Sequence, residues 1–323
     1  MTDITLIDAA ATRLAGHARR TPLLNAPLLD RIAGRRVLVK AECLQLTGSF
    51  KFRGAWSAVT ALPADARGVL AYSSGNHAQG VALAAARRGL TAVIIMPSDA
   101  PAVKVANTRA YGAEVVLYDR ASESREEIGA RLALERGLTL IRPYDEPQVI
   151  AGQGTTGLEI AEQAAELGVT SADVLVCCGG GGLTAGIALA LESRAPELRV
   201  RPVEPQGFDD TRRSLAAGQR LGNPALSGSV CDAILTPIPG EITFPILKRL
   251  CGPGIAVSDE QALQAVALAF STLRIVAEPG GAVALAAALF AGDQLAGDTV
   301  ICTVSGGNVD PALFAEALSR FAG

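Results

Sequence analysis

The stretch 174-VLVCCGGGGLTAGIALAL-191 reads as a strand, four glycines and a helix in direct succession. Without Cβ atoms, such a loop can bring its backbone close to a ligand and aim several N–H groups at one anion. The helix that follows adds a partial positive charge at its N-terminus. The stretch therefore predicts a phosphate cradle. It lacks the Gly-Lys-Ser/Thr ending of a nucleotide P-loop, and it fits the G-x-G-x-x-G spacing of a dinucleotide fold only loosely. A tight strand-to-helix turn is the plainer alternative, but four glycines cost much backbone entropy for that purpose alone.

Working outward, short β-branched runs alternate with Ala-rich segments. Residues 36–42, 68–74, 90–96, 113–118, 199–204 and 299–305 read as further strands. Residues 76–89, 122–137 and 182–195 have helical composition and apolar spacing. This alternation predicts an α/β protein whose mainly parallel sheets are covered by helices. In such sheets ligands collect where a strand's carboxyl end turns to helix. Two more clusters sit at such ends, 73-SSGNH-77 and 305-SGGN-308. Taken alone, the first reads better as a plain helix N-cap by Ser74 or Asn76, and the second as a turn.

Composition removes several classes of function. The chain has 323 residues, 49% hydrophobic and 19% charged, with a net charge of −3. That is core enough for a folded protein, and it argues against an electrostatic grip on nucleic acid or on an anionic membrane. Runs such as 262-ALQAVALAF-270 are shorter than a membrane span needs, and the N-terminus lacks the order of a signal peptide. A cytoplasmic protein is expected. Six cysteines without C-x-x-C spacing read as buried free thiols. Two histidines, His17 and His77, leave little for a histidine metal site or a Ser-His-Asp triad.

One lysine stands out. Lys51 in 47-TGSFKFRG-54 lies between Phe50 and Phe52. Most lysines are solvated, but an amine in apolar surroundings loses basicity and gains nucleophilicity. A Schiff-base lysine and a phosphate cradle in one chain suggest a phosphorylated aldehyde cofactor, pyridoxal 5'-phosphate.

The segments 42-ECLQLTGSFKFRG-54, 73-SSGNHAQGVA-82, 142-RPYDEPQVIAGQGTTGLEI-160, 179-GGGGLTAGIA-188, 204-EPQGFDD-210, 278-EPGGA-282 and 305-SGGN-308 carry a resemblance over nearly the whole chain. In order and spacing they resemble the pyridoxal-phosphate serine/threonine dehydratase and serine racemase family, of the tryptophan-synthase-β fold type. The resemblance implies two α/β domains with the cofactor between them, a larger one from residues 1–53 and 144–323 and a smaller one from 54–143. It implies a homodimer. It also implies that Lys51 anchors the cofactor covalently and then acts as base on the substrate Cα proton, with Phe50 packed alongside. By position, Asn76 faces the phenolic oxygen. Gly179, Gly180, Gly181, Gly182 and Leu183 hold the phosphate, and Ser305 faces the pyridine nitrogen. Ser73, Ser74, Gly75, Asn76 and His77 receive the substrate carboxylate, and Arg131 approaches the substrate.

A hydroxyl beside the ring nitrogen makes the ring a milder electron sink than a carboxylate partner does. That favours elimination, and the expected reaction converts L-serine, L-threonine or a similar β-hydroxy amino acid to the 2-oxo acid and ammonia. Ser74 stands where many threonine dehydratases have alanine. A hydroxyl opposite Lys51 could return a proton from the other face, so an amino-acid racemase is a rival reading, beside a 3-hydroxyaspartate dehydratase. A cysteine synthase is disfavoured by 51-KFRG-54, and a non-catalytic sensor by the intact Lys51, Asn76, glycine loop and Ser305. Glu204 and Asp210, with the Phe208 carbonyl between them, match the family's divalent-metal site, where oxygen ligands suit Mg²⁺ or Ca²⁺. The stretch 227-SGSVCDA-233 departs from the family's common A-D-G, which puts substrate contacts there in doubt. The regulatory domain of biosynthetic threonine deaminases is not expected.

Overall fold

The apolar runs form strands because helices cover both of their faces. The computed structural model describes residues 2–225 and 227–321. Its strands are β1 (Leu23–Leu24), β2 (Arg36–Ala41), β3 (Gly68–Tyr72), β4 (Thr91–Pro97), β5 (Glu114–Tyr118), β6 (Thr139–Leu140), β7 (Ala172–Cys177), β8 (Leu198–Pro205), β9 (Ile255–Val257) and β10 (Thr299–Val304). The helices are α1 (Ile4–Leu14), α2 (Pro27–Ala33), α3 (Lys51–Ala61), α4 (Asn76–Arg88), α5 (Ala102–Ala110), α6 (Arg125–Arg136) and α7 (Pro147–Glu166). They continue with α8 (Gly182–Arg194), α9 (Asp210–Ala217), α10 (Thr243–Leu250), α11 (Asp259–Leu268), α12 (Pro279–Phe290) and α13 (Pro311–Phe321).

The strands make two sheets. One has six strands in the order β1-β2-β10-β7-β8-β9, the other four in the order β5-β4-β3-β6. Only the β1–β2 pairing is antiparallel among the described strands. Every residue of β7 is buried, as is all of β4 after Thr91. Continuous burial, rather than alternation, is what a parallel sheet covered on both faces produces. Helix α12 shows the same logic, being buried from Pro279 to Leu289. None of the described helices is long and apolar enough to cross a membrane.

Two features of this frame place the cleft. Strand β10 lies between β2 and β7, so the loops leaving β7 and β10 emerge side by side although they are over a hundred residues apart in sequence. Helices α3 and α7 touch through glycine. A methyl at Gly152 would lie 2.5 Å from the Arg53 carbonyl oxygen and 2.7 Å from Gly54 Cα. That close approach fixes where α3, and with it Lys51, meets the sheets.

Candidate active site

Lys51 is the first residue of α3. The turn leading to it has left-handed backbone at Thr47 (φ 62) and Gly48 (φ 73). It is stitched to the end of β10: Phe50 N–H donates to the Ser305 carbonyl (3.1 Å), and Gly307 N–H donates to that of Gly48 (2.9 Å). A methyl at Gly48 would lie 2.7 Å from Asn308 Oδ1, so the turn leaves no room there for a side chain. The lysine and the serine expected at opposite parts of one cofactor are thus held together by backbone hydrogen bonds.

The Lys51 amine donates to the Pro143 carbonyl (2.8 Å) and lies 5.1 Å from the centre of the Phe50 ring. Burial pulls its pKa down to about 8, against the opposing charge of Glu278. Glu278 is itself buried, and burial pushes its carboxyl up to about 7 although Asn76 donates to it (2.6 Å). Asn76 opens α4, and its own amide oxygen accepts from Asn308 (2.6 Å). His77 is neutral. Burial and then the Lys51 charge take it to about 3, and its Nε2 pairs with the Ile141 carbonyl (2.9 Å) while Nδ1 has no partner.

A cavity of about 270 Å³ is lined by Lys51, the whole loop Ser73–His77 and Glu278. Beside it is a tighter one of about 50 Å³, lined by Phe50, Lys51, Asn76, Gly179 to Thr184 and Ser305. Gly181 adopts φ 90, which turns the chain from β7 into α8. Two buried hydroxyls that line the tight cavity, Thr184 Oγ1 and Thr236 Oγ1, have no hydrogen-bond partner. Backbone N–H groups at a helix start, with neutral hydroxyls beside them, form a donor set suited to a phosphate dianion. The residues present fit pyridoxal phosphate.

The sequence-based site is therefore brought together, with one exception. Arg131 is exposed on α6 and lines neither these cavities nor the outer one beside them. Arg125, at the start of the same helix, lines the larger cavity instead. Six residues along a helix is about 1.7 turns, so the two point to different faces. Sequence reading also gave no role to Tyr144, Thr184, Thr236 or Glu278. Tyr144 and Glu278 lie inside the quoted segments, but nothing in those segments marks them as facing the cavity. In the divergent 227–233 loop, Asp232 and Ala233 do reach the larger cavity.

Glu204 and Asp210 lie away from these cavities. Glu204, the penultimate residue of β8, is fully buried, and its two oxygens accept from Thr211 N–H (2.9 Å) and Arg212 N–H (2.8 Å). Asp210 accepts from Asn223 (2.7 Å) through one oxygen; the other is buried without a partner. Among the described residues no group of three or more His, Cys, Asp or Glu is placed to hold a metal ion. All six cysteines are unpaired.

The chain resembles known proteins over nearly its whole length. A family model described as pyridoxal-phosphate dependent enzyme matches residues 14–306. The chain is 43% identical over 313 residues to an L-threo-3-hydroxyaspartate ammonia-lyase from Pseudomonas sp, covering 96% of each chain. It is 38% identical to a serine racemase of Arabidopsis thaliana, over 95% of this chain and 93% of the other. Among solved structures, a threonine deaminase from T.th. superposes with a TM-score of 0.90 at 47% identity, covering 95% of this chain and 99% of that one.

Proposed function

From the premise that this chain belongs to the pyridoxal-phosphate dependent enzyme family, we propose an ammonia-lyase that eliminates water across Cα and Cβ of a β-hydroxy amino acid, the released enamine then tautomerising and hydrolysing to the 2-oxo acid and ammonia. The observation that carries it is the meeting of Lys51, Asn76, the glycine loop and Ser305, from four distant segments, on one cavity. When bound, pyridoxal phosphate supplies an aldehyde carbon for the substrate nitrogen and a ring that spreads the charge left on Cα. The protein supplies the rest. Gly179 to Leu183, with the Thr184 and Thr236 hydroxyls, hold the phosphate, and Asn76 and Ser305 hold the ring's oxygen and nitrogen. The Ser73–His77 loop takes the α-carboxylate on N–H groups and hydroxyls. Lys51 takes the Cα proton. An amine with a pKa near 8 is partly neutral near pH 7–8 and so able to accept it.

Lys104, Arg120 and Arg125 also line the larger cavity. Each has a carboxylate partner, Asp232, Asp99 and Glu126 respectively, so 3-hydroxyaspartate is proposed as a substrate beside serine and threonine from the 43% identical ammonia-lyase and not from a free cationic wall. A racemase is the second reading, because Ser74 lines the same cavity as Lys51, and a hydroxyl opposite the lysine would return a proton to the other face of Cα. The deciding experiment offers serine, threonine and the 3-hydroxyaspartate isomers to the purified enzyme and scores both 2-oxo acid and product stereochemistry. Serine converted to D-serine without pyruvate sinks the lyase reading. Purified protein that is colourless and unchanged by borohydride sinks the Lys51 anchor.

The proposal extends to a Mg²⁺ or Ca²⁺ ion on Glu204, Asp210 and the Phe208 carbonyl, supported by the partnerless Asp210 oxygen. Stability and activity indifferent to a chelator count against it. It also extends to a homodimer in the cytoplasm. Unpaired thiols suit a reducing compartment, and gel filtration tests the dimer. Finally, the boundaries at 53/54 and 143/144 divide the chain into two domains that close over the substrate and expel water from the amine.

A further inference from the structure

Two of the four glycines face a neighbour with no assigned role. A methyl added to Gly180 would run into the Tyr144 ring, and one added to Gly182 would lie 3.0 Å from Tyr144 Cα. Within the loop only Gly181 has a positive φ. Gly180 and Gly182 are thus required by what packs on them, not by backbone conformation.

The residues beside Tyr144 reach further. The Pro143 carbonyl accepts from the Lys51 amine (2.8 Å). The Asp145 carboxylate accepts the N–H groups of Glu241 (3.0 Å), Ile242 (2.8 Å) and Thr243 (3.3 Å), where α10 begins. The Thr243 hydroxyl then donates to the Gly180 carbonyl (2.7 Å), and Gly240 N–H donates to the same oxygen (3.3 Å). Tyr144 itself lines the substrate cavity, the phosphate cradle and an outer vestibule of about 530 Å³ that also includes Arg142 and Arg220.

We propose that Pro143, Tyr144 and Asp145 form a strap that fixes the Lys51 amine relative to the glycine cradle. Tyr144 is its positioning residue: the ring partitions the cradle from the vestibule and so retains a phosphorylated cofactor. This rests on the reading that the chain binds pyridoxal phosphate. The ring supplies shape and apolar surface, and the Asp145 contacts keep Gly180 from moving away from it.

The test is titration of the full-length protein, stripped of cofactor, with pyridoxal phosphate, read by absorbance and by tryptophan fluorescence. Tyr144→Ala is expected to weaken affinity by at least about tenfold, the equivalent of 1.4 kcal/mol, and Tyr144→Phe, which keeps the ring, to restore it. Gly180→Ala alone is expected to weaken binding more than Gly180→Ala combined with Tyr144→Ala, because the methyl then enters the space the ring vacates. Wild-type affinity in Tyr144→Ala overturns the proposal, as does a double variant no better than Gly180→Ala alone. Thermal melting of the cofactor-free variants separates binding from folding. An equal loss of stability without cofactor would make Tyr144 a fold residue and overturn the strap. If the wild-type chain fails to bind pyridoxal phosphate, the proposed function falls instead.

Discussion

Lys40 and Lys51 stand eleven residues apart and are held in opposite ways. The Lys40 amine has three partners: the Thr21 carbonyl (2.8 Å), Glu159 (2.6 Å) and Gln163 (2.8 Å). Next to it, Arg53 forks onto Glu42 with two bonds of 2.8 Å and onto Glu159 at 2.7 and 2.9 Å. Burial works against the Arg53 charge, but Glu42 and then Glu159 more than reverse this and raise its pKa. Lys51, by contrast, has a single neutral carbonyl. Around it lie a carboxyl titrating near 7, a histidine nitrogen without a partner and two partnerless hydroxyls. Matched buried charge locks α3, which carries both Lys51 and Arg53, to β2 and α7; unmatched polar atoms in the cleft leave bonding capacity for a ligand.

Substitutions sharpen the contrast, and the largest effect is expected at Lys51. Lys51→Ala should lower kcat by more than about 10³-fold. Its urea midpoint without cofactor should equal or exceed that of the wild type, because a poorly paired buried amine is removed. A Lys51→Ala protein that unfolds readily would place this lysine in the same class as Lys40. Arg53→Met should do the reverse, costing about 3–5 kcal/mol by leaving Glu42 buried and unpaired, visible as a lowered urea midpoint.

Glu278→Gln probes the cleft by pH. The folded-state pKa of Glu278, about 7, exceeds the ordinary 4.5. Between these values the folded protein binds the extra proton, so the burden on stability grows as pH rises from 4.5 to 7 and is complete above. The variant should gain about 3 kcal/mol at pH 8 without cofactor and little at pH 4. Unfolding curves across that range check it, and an equal shift at both ends would remove Glu278 from the unmatched set. The smallest effect is expected from Arg131→Ala, which should change turnover of 3-hydroxyaspartate less than Arg125→Ala does, as initial rates would show.

The longer strands were legible because continuous burial writes itself as mostly apolar sequence, as at 174–177 and 299–304; β1, β6 and β9, of two or three residues each, are too short to carry such a pattern and were not read. Helix α7 was also less legible. Its glycines at 152, 154 and 157 weaken a helical reading, and their purpose appears only against α1, α3 and α8. The cofactor end of the site was readable because glycines, a lysine and an asparagine follow strand ends at recognisable places. Glu278 and Tyr144 were not. A carboxylate before a proline reads as a helix start, and a tyrosine in 142-RPYDEP-147 reads as loop. Their roles come from packing across more than thirty residues in sequence. Arg131 and Arg125 differ only in helical phase, which a segment without a clear apolar face fixes poorly.

The placement of β10 has a consequence for biosynthesis. This strand, residues 299–304, is the last of the ten to leave the ribosome, yet it sits between β2 and β7. Until it arrives, the two halves of the larger sheet have no shared neighbour, and the turn before Lys51 has nothing to be stitched to. From the completion of β7 until β10 arrives, a nascent chain therefore carries two unpaired, apolar strand edges. The four-stranded sheet, complete by residue 140, can form far earlier. The order of maturation is then set: small sheet first, insertion of the late strand next, and a competent lysine last.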